Sequence, residues 1–392
     1  MPQIKPGLEQ MIADPPAWLA GRRLGLLCNP ASVDRFYRHA KDLISQRFPG
    51  RLTALFSPQH GFYSEKQDNM VESGDRLDPE TGLPVYSLYG KTRVPTPEMF
   101  NRIDVLIIDL QDVGTRVYTF ATTVSYCLET AKKVGIPVLV LDRPNPVNGI
   151  QVEGNRLSEE FTSFVGRYPI PMRHGLTLGE YANYINELYD IGCQLEVTPM
   201  KGWRRRMYFS DTALPWVPPS PNLPTFQSAM VYPGQVILEG TNISEGRGTT
   251  TPFEVFGAPF IDPRKILSLM GGREFPGGIL RPVSFEPMFH KWKNKTCYGF
   301  HVHITRPAAY NAYRTSLKLV QAIMYDSPED FQWRGPPYEY EWERLPIDLI
   351  TGNDKIRERL ERLEPVEAIE ADWLAEVNAF QKETEPYRLY EQ

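Results

Sequence analysis

Apolar positions along this chain fall into two patterns. Residues 23–28, 52–56, 84–89, 103–109, 137–141 and 195–199 are short apolar runs of the kind that forms buried parallel strands. Between them, residues 34–48, 120–134 and 173–190 carry apolar side chains at helical spacing, and 7–20 reads as an amphipathic helix. Thr177 and Glu180 stand as a capping box, so Glu180 is read as a cap. Alternating strands and helices predict an α/β fold with a doubly wound parallel sheet. Residues 236–240 look strand-like. Beyond 262 the pattern is mixed: 298–304 alternates like a strand, 308–324 has helical spacing, and the end is charged and helical.

Right-handed crossovers bring the carboxyl ends of parallel strands to one edge, where ligands bind in open α/β sheets. Four runs end in polar tips: at Asn29, at Ser57 to His60, at Asp109 to Asp112, and at Asp142 to Asn145. A long polar segment, 63–84, follows the second tip. Loops of that length inside a domain are usually functional or disordered. Residues 215–224 hold five prolines and cannot be regular structure; they present Ser220 and Asn222 on a stiff frame. The two glycines beside Arg247 allow close approach of backbone to a ligand.

Length and composition narrow the classes. A chain of 392 residues exceeds one compact core, so two domains are expected. A net charge of −5 lacks the basic surplus of a nucleic-acid binder, and no run is long enough to span a membrane. The first residues lack an apolar signal core, and the four cysteines have no C-x-x-C spacing. A cytoplasmic protein with reduced thiols is therefore expected. No dinucleotide fingerprint, phosphate loop or G-x-S-x-G elbow is present. His301 and His303 share a strand face without a third ligand nearby and read as surface or packing residues. No cofactor or metal is expected.

The polar groups near the inferred edge are Glu65, Glu72, Asp109, Asp112, Asp142, Glu239 and Glu245, with His60, His174, Arg116, Arg143, Arg173 and Arg247. Two reactions suit this set: glycoside hydrolysis by paired carboxyl groups, and metal-assisted hydrolysis. The arginines point to a substrate bearing a carboxylate or phosphate. Each group also has a structural alternative: Asp109 as a cap on backbone amides, Arg116 bridged to Asp112, Arg247 bridged to Glu245.

Six motifs together resemble one family. They are Ser57-Pro-Gln-His-Gly-Phe62, Asp109-Leu-Gln-Asp-Val-Gly-Thr-Arg-Val-Tyr-Thr119, Asp142-Arg-Pro-Asn-Pro146, Arg173-His-Gly175, Pro218-Pro-Ser-Pro-Asn-Leu-Pro224 and Glu239-Gly-Thr-Asn-Ile-Ser-Glu-Gly-Arg-Gly-Thr249. In order and content they resemble the NamZ-type exo-β-N-acetylmuramidases over about residues 20–390. The resemblance implies a Rossmann-like N-terminal domain (1–228), a smaller C-terminal α/β domain (229–392) and a site in the cleft between them. It implies release of N-acetylmuramic acid from the non-reducing end of peptidoglycan fragments. The partner is then a small carbohydrate; the oligomeric state stays open.

The resemblance also suggests roles. Glu65, Glu239, Asp112 and His60 are the catalytic candidates. Arg247 and Arg173 are the candidates for the lactyl carboxylate. His174, Asn222, Asn242, Glu245, Arg116, Tyr118, Arg143 and Asn145 complete the substrate-binding set. One departure stands out: many relatives resemble Pro-Glu-His-Gly where this chain has Pro58-Gln59-His60-Gly61. An amide cannot protonate a leaving oxygen, so Glu65 is the expected substitute acid, with Glu239 or Asp112 as second carboxylate. The alternatives are a non-catalytic muropeptide-binding protein and a metal-dependent hydrolase.

Overall fold

Alternate residues of the central strands go to opposite faces of a sheet. Leu24, Leu26, Val105 and Ile107 pack against Leu8, Met11, Leu43 and Ile44 on one side; Leu27, Leu106 and Ile108 pack against Val124, Cys127 and Leu128 on the other. This computed structural model describes residues 3–66 and 70–392; Gln67, Asp68 and Asn69 of the polar segment lie outside the described residues. The strands are β1 (Leu24–Cys28), β2 (Leu52–Ser57), β3 (Arg76–Leu77), β4 (Pro84–Ser87), β5 (Val105–Asp109), β6 (Val138–Leu141), β7 (Glu153–Arg156), β8 (Pro171–Arg173) and β9 (Leu195–Thr198). Seven of them form one sheet in the order β3-β4-β2-β1-β5-β6-β9. All neighbours pair in parallel except β3, which runs antiparallel to β4 at the edge. Crossovers from β1 run one way and those from β5 the other, so the switch point lies between them. β7 and β8 form a separate antiparallel pair.

The second half builds β10 (Val255–Ala258), β11 (Glu274–Phe275), β12 (Gly278–Phe285) and β13 (Cys297–Ile304) into an antiparallel sheet, β10-β13-β12-β11. The long helix Ala312–Asp326 packs chiefly against the helices Phe226–Gln235 and Pro263–Leu269, and its Leu317, Val320 and Ile323 join a core continuous with the first sheet's. Many side-chain bonds cross between the halves. Arg116 donates to the carbonyl of Ile350 at 2.8 Å, and Glu153 accepts from the backbone amide of Tyr313. The chain end returns to the first sheet, where the Tyr390 hydroxyl meets Asp142. No helix among the described residues is long and apolar enough to cross a membrane.

Several elements differ from their sequence expectation for local reasons. The first helix stops at Ala13 because Pro15 and Pro16 follow, leaving a separate turn at Ala17–Leu19. The next helix begins only at Ala40; the Asp34 carboxylate accepts from the amides of Phe36 and Arg38 and ties the preceding residues into a turn. Residues 236–240 form a 3₁₀ turn continuing the helix Phe226–Gln235, not a strand. Arg173 sits in β8, ahead of the helix Leu178–Leu188, whose Thr177–Glu180 capping box is present.

Candidate active site

The switch point itself is closed. Asn29, at the end of β1, donates to the carbonyls of Gln111 and Pro219, so the proline-rich segment caps the tips of β1 and β5. The polar cavity lies to one side, where the loop after β2 meets the second half. Its walls carry Gln59 and His60, Tyr118 and Thr119, Ser220 and Asn222, Tyr232, Glu239, Arg247, Phe253, Tyr338 and Glu339. The space at its centre is narrow, about 30 Å³. A wider groove of about 700 Å³ lies elsewhere, but its arginines are already paired: Arg156 with Glu383, Arg359 with Glu364.

Two carboxyl groups face the cavity. Glu239 closes the 3₁₀ turn and is buried; Arg247 donates to its Oε1 at 2.7 Å and the Tyr338 hydroxyl to its Oε2 at 2.6 Å. Behind Arg247, Glu245 is held by Lys291 at 2.8 Å and by His290 at 3.1 Å. Lys291, His290 and Arg247 together hold the Glu245 carboxyl well below the usual carboxylate range, against its burial. Glu339 comes from the loop that also carries Tyr338. Its Oε1 accepts from Gln59 Nε2 at 3.0 Å and its Oε2 from the Tyr89 hydroxyl at 2.6 Å. Burial pushes its carboxyl up to about 7; the two donors pull the other way and the Glu239 charge adds to the rise. Thr119 donates to Gln59 Oε1 at 2.6 Å, which fixes the amide with its NH₂ toward Glu339. His60, at φ +77°, turns its Nδ1 to the Lys66 carbonyl at 2.9 Å. A carbonyl only accepts, so Nδ1 carries the proton.

With this geometry in place, the comparisons are decisive. Residues 24–227 match the family model described as exo-β-N-acetylmuramidase NamZ, N-terminal, and residues 230–390 match its C-terminal counterpart. The chain belongs to the exo-β-N-acetylmuramidase NamZ family. It is 42% identical over 389 residues to the peptidoglycan β-N-acetylmuramidase NamZ of Bacillus subtilis (strain 168), covering 99% of this chain and 92% of that protein. Two crystal structures of DUF1343 family proteins from Bacteroides fragilis NCTC 9343 share the fold. One has a TM-score of 0.89 at 34% identity, covering 99% of both chains. The other has a TM-score of 0.77 at 28% identity, covering 100% of this chain and 99% of that one.

Against this NamZ-type frame, the candidates divide. Glu239, His60, Arg247, Asn222 and Tyr118 meet at the cavity. Glu65 does not line it: the carboxylate is 37% exposed and paired with Arg76 at 2.9 Å. Asp112 is buried outside the lining, accepts from the Gly114 amide at 2.7 Å, and is pushed up to about 7 by burial. Arg173 is committed to Glu153 and to the Val147 carbonyl. Arg143 is committed to Asp109, and Arg116 to three backbone carbonyls rather than to Asp112. Burial and Arg116 lower His174 to about 3, so its ring is neutral, and its Nδ1 accepts from the Leu176 amide. Asn145 bonds to Leu176 and Val147, and Asn242 to Asp330 and Gln332. Glu245 supports Arg247 from behind. The glycines beside Arg247 serve packing rather than a ligand: a Cβ on Gly246 would meet the Val255 carbonyl at 2.4 Å, and one on Gly248 the Phe289 backbone at 2.7 Å.

Sequence reasoning missed Glu339, Tyr338 and Tyr89. Glu339 sits in Pro336-Pro337-Tyr338-Glu339-Tyr340, outside the six motifs. Its signal was present: a carboxylate inside a proline- and tyrosine-rich loop between helices. His301 and His303, partly exposed, stack at 4.1 Å and both meet Arg281 at 3.0 Å. Among the described residues, no group of three or more His, Cys, Asp or Glu side chains is arranged to hold a metal ion.

Proposed function

We propose that this chain is an exo-β-N-acetylmuramidase that releases N-acetylmuramic acid from the non-reducing end of peptidoglycan fragments. The hydrolysis runs between two carboxyl groups in the cleft between a domain of residues 1–228 and one of residues 229–392. The observation that carries the reading is that Glu239 and Glu339, one hundred positions apart in the sequence, face one cavity. Paired carboxyls are what glycoside hydrolysis requires. Arg247 is the group we assign to the lactyl carboxylate; Glu245, itself held by Lys291, pairs with it at the wall. The narrow cavity admits a pyranose ring only when its walls separate.

The four cysteines are buried free thiols, which a reducing compartment preserves. We therefore place the activity in the cytoplasm, on imported fragments. The test is incubation of the protein with the N-acetylmuramyl–N-acetylglucosamine disaccharide, with and without a chelator. Release of both sugars under both conditions supports the proposal. Binding without release would instead favour a muropeptide-binding role, which Gln59 at the Pro-Gln-His-Gly motif makes the specific rival. Loss of release with chelator would favour a metal-dependent route.

A further inference from the structure

We infer that Glu339 is the catalytic acid, protonating the glycosidic oxygen as it leaves, and that Gln59 is the positioning residue that holds it. This deepens the muramidase reading above and rests on it.

The two carboxyls keep different company. Glu239 is bonded to a guanidinium, an arrangement that suits a carboxylate and therefore a base or nucleophile. Glu339 is bonded only to neutral donors, one on each oxygen. A carboxyl group has about four lone-pair sites. The Gln59 amide and the Tyr89 hydroxyl occupy one on each oxygen, which leaves room for a proton facing the cavity. The remaining groups around it keep that proton in place. Tyr232 and Tyr338 are neutral phenols raised by burial and Glu239 opposes a second charge; the Tyr89 hydroxyl, the Gln59 amide and the Arg247 charge pull toward ionisation without overcoming burial; His60 shares the wall. The backbone adds a further sign: Glu339 and Tyr340 stand at φ +46° and +68°, conformations that cost non-glycine residues energy and cluster at functional sites. Gln59 is fixed from the far side by Thr119, so its NH₂ has one orientation. An amide there holds Glu339 without competing for its proton, as a second carboxyl would.

The step balances simply. The Glu339 proton goes to the glycosidic oxygen, and the C1–O electron pair leaves with that oxygen as the sugar alcohol. Water then supplies the oxygen that ends on C1 and returns one proton to the carboxyl pair. Glu239 assists the attack on the opposite face.

The test compares two substrates, since a good leaving group needs no acid. For Glu339→Gln, kcat/KM on the disaccharide should fall roughly 10²–10⁴-fold, while that on a nitrophenyl N-acetylmuraminide stays within about tenfold of wild type. Equal losses on both substrates, or near-wild-type turnover of the disaccharide, would overturn the inference while leaving the muramidase reading intact. A wild-type protein inactive on both would overturn both. Gln59→Leu provides an independent arm that leaves Glu339 in place. Losing a donor to the ionised form should move the alkaline limb of kcat/KM to higher pH. A fall in rate with an unmoved limb would assign Gln59 to packing alone.

Discussion

Glu239 and Glu339 share one cavity and comparable burial, yet their partners differ in kind. A guanidinium and a phenol meet the first; an amide and a phenol meet the second. Burial alone disfavours ionisation at either position. On the assignment proposed above, this difference in partners is what gives Glu239 the part of base or nucleophile and Glu339 the part of acid. The remaining arginines make the same point in reverse. Arg143 and Arg173, buried and paired with Asp109 and Glu153, have the composition of a site and the contacts of a scaffold.

The contrast can be sharpened by experiment. The largest effect is expected at Glu239: Glu239→Gln should lower kcat/KM roughly 10²–10⁴-fold on both the disaccharide and the nitrophenyl glycoside. A loss confined to the disaccharide would reverse the two roles. Next comes Arg247→Lys, which keeps the charge and loses the planar fork. Discrimination between N-acetylmuramyl and N-acetylglucosaminyl glycosides, read as the ratio of kcat/KM values, should shrink by about 1.5–3 kcal/mol. Unchanged discrimination would remove Arg247 from the lactyl site.

The pH profile gives a smaller, graded effect. Glu339 must be protonated to act, and burial raises its carboxyl to about 7. The wild-type kcat/KM should therefore hold below that value and fall about tenfold per pH unit above it. A flat alkaline side to pH 9 would contradict the assignment. The smallest effect is expected at Glu65. Its partly exposed pair with Arg76 is of a class worth about 0–1 kcal/mol, so Glu65→Gln should leave turnover within about threefold and stability nearly unchanged.

The legible parts of this molecule were those that repeat locally. The runs that became β1, β2, β5 and β6 are wholly or almost wholly buried, and burial on both faces leaves continuous apolar sequence. The capping box at Thr177 and Glu180 could be read from two letters three apart. The motif around Glu239 carried its site residue into view even though its secondary structure was misread. The 3₁₀ turn has apolar residues at nearly every position, which short strands share. Glu65 was a reasonable substitute for Gln59 by proximity in sequence, but six residues of chain led it outward to Arg76. The group that meets Gln59 lies 280 positions away, a pairing only the tertiary fold creates. Arg116 misled for a different reason: three backbone carbonyls take its donors, and a carbonyl leaves no signature in the sequence.

The central claim, that Glu239 and Glu339 work as one unit, is tested most directly by a double-mutant cycle on the disaccharide. The quantities are kcat/KM for wild type, Glu239→Gln, Glu339→Gln and the double variant. Residues that act together lose nearly everything at the first substitution. The double variant should therefore fall no more than about tenfold below the worse single variant. Losses that multiply in full, or a single variant that turns over like wild type, would contradict it.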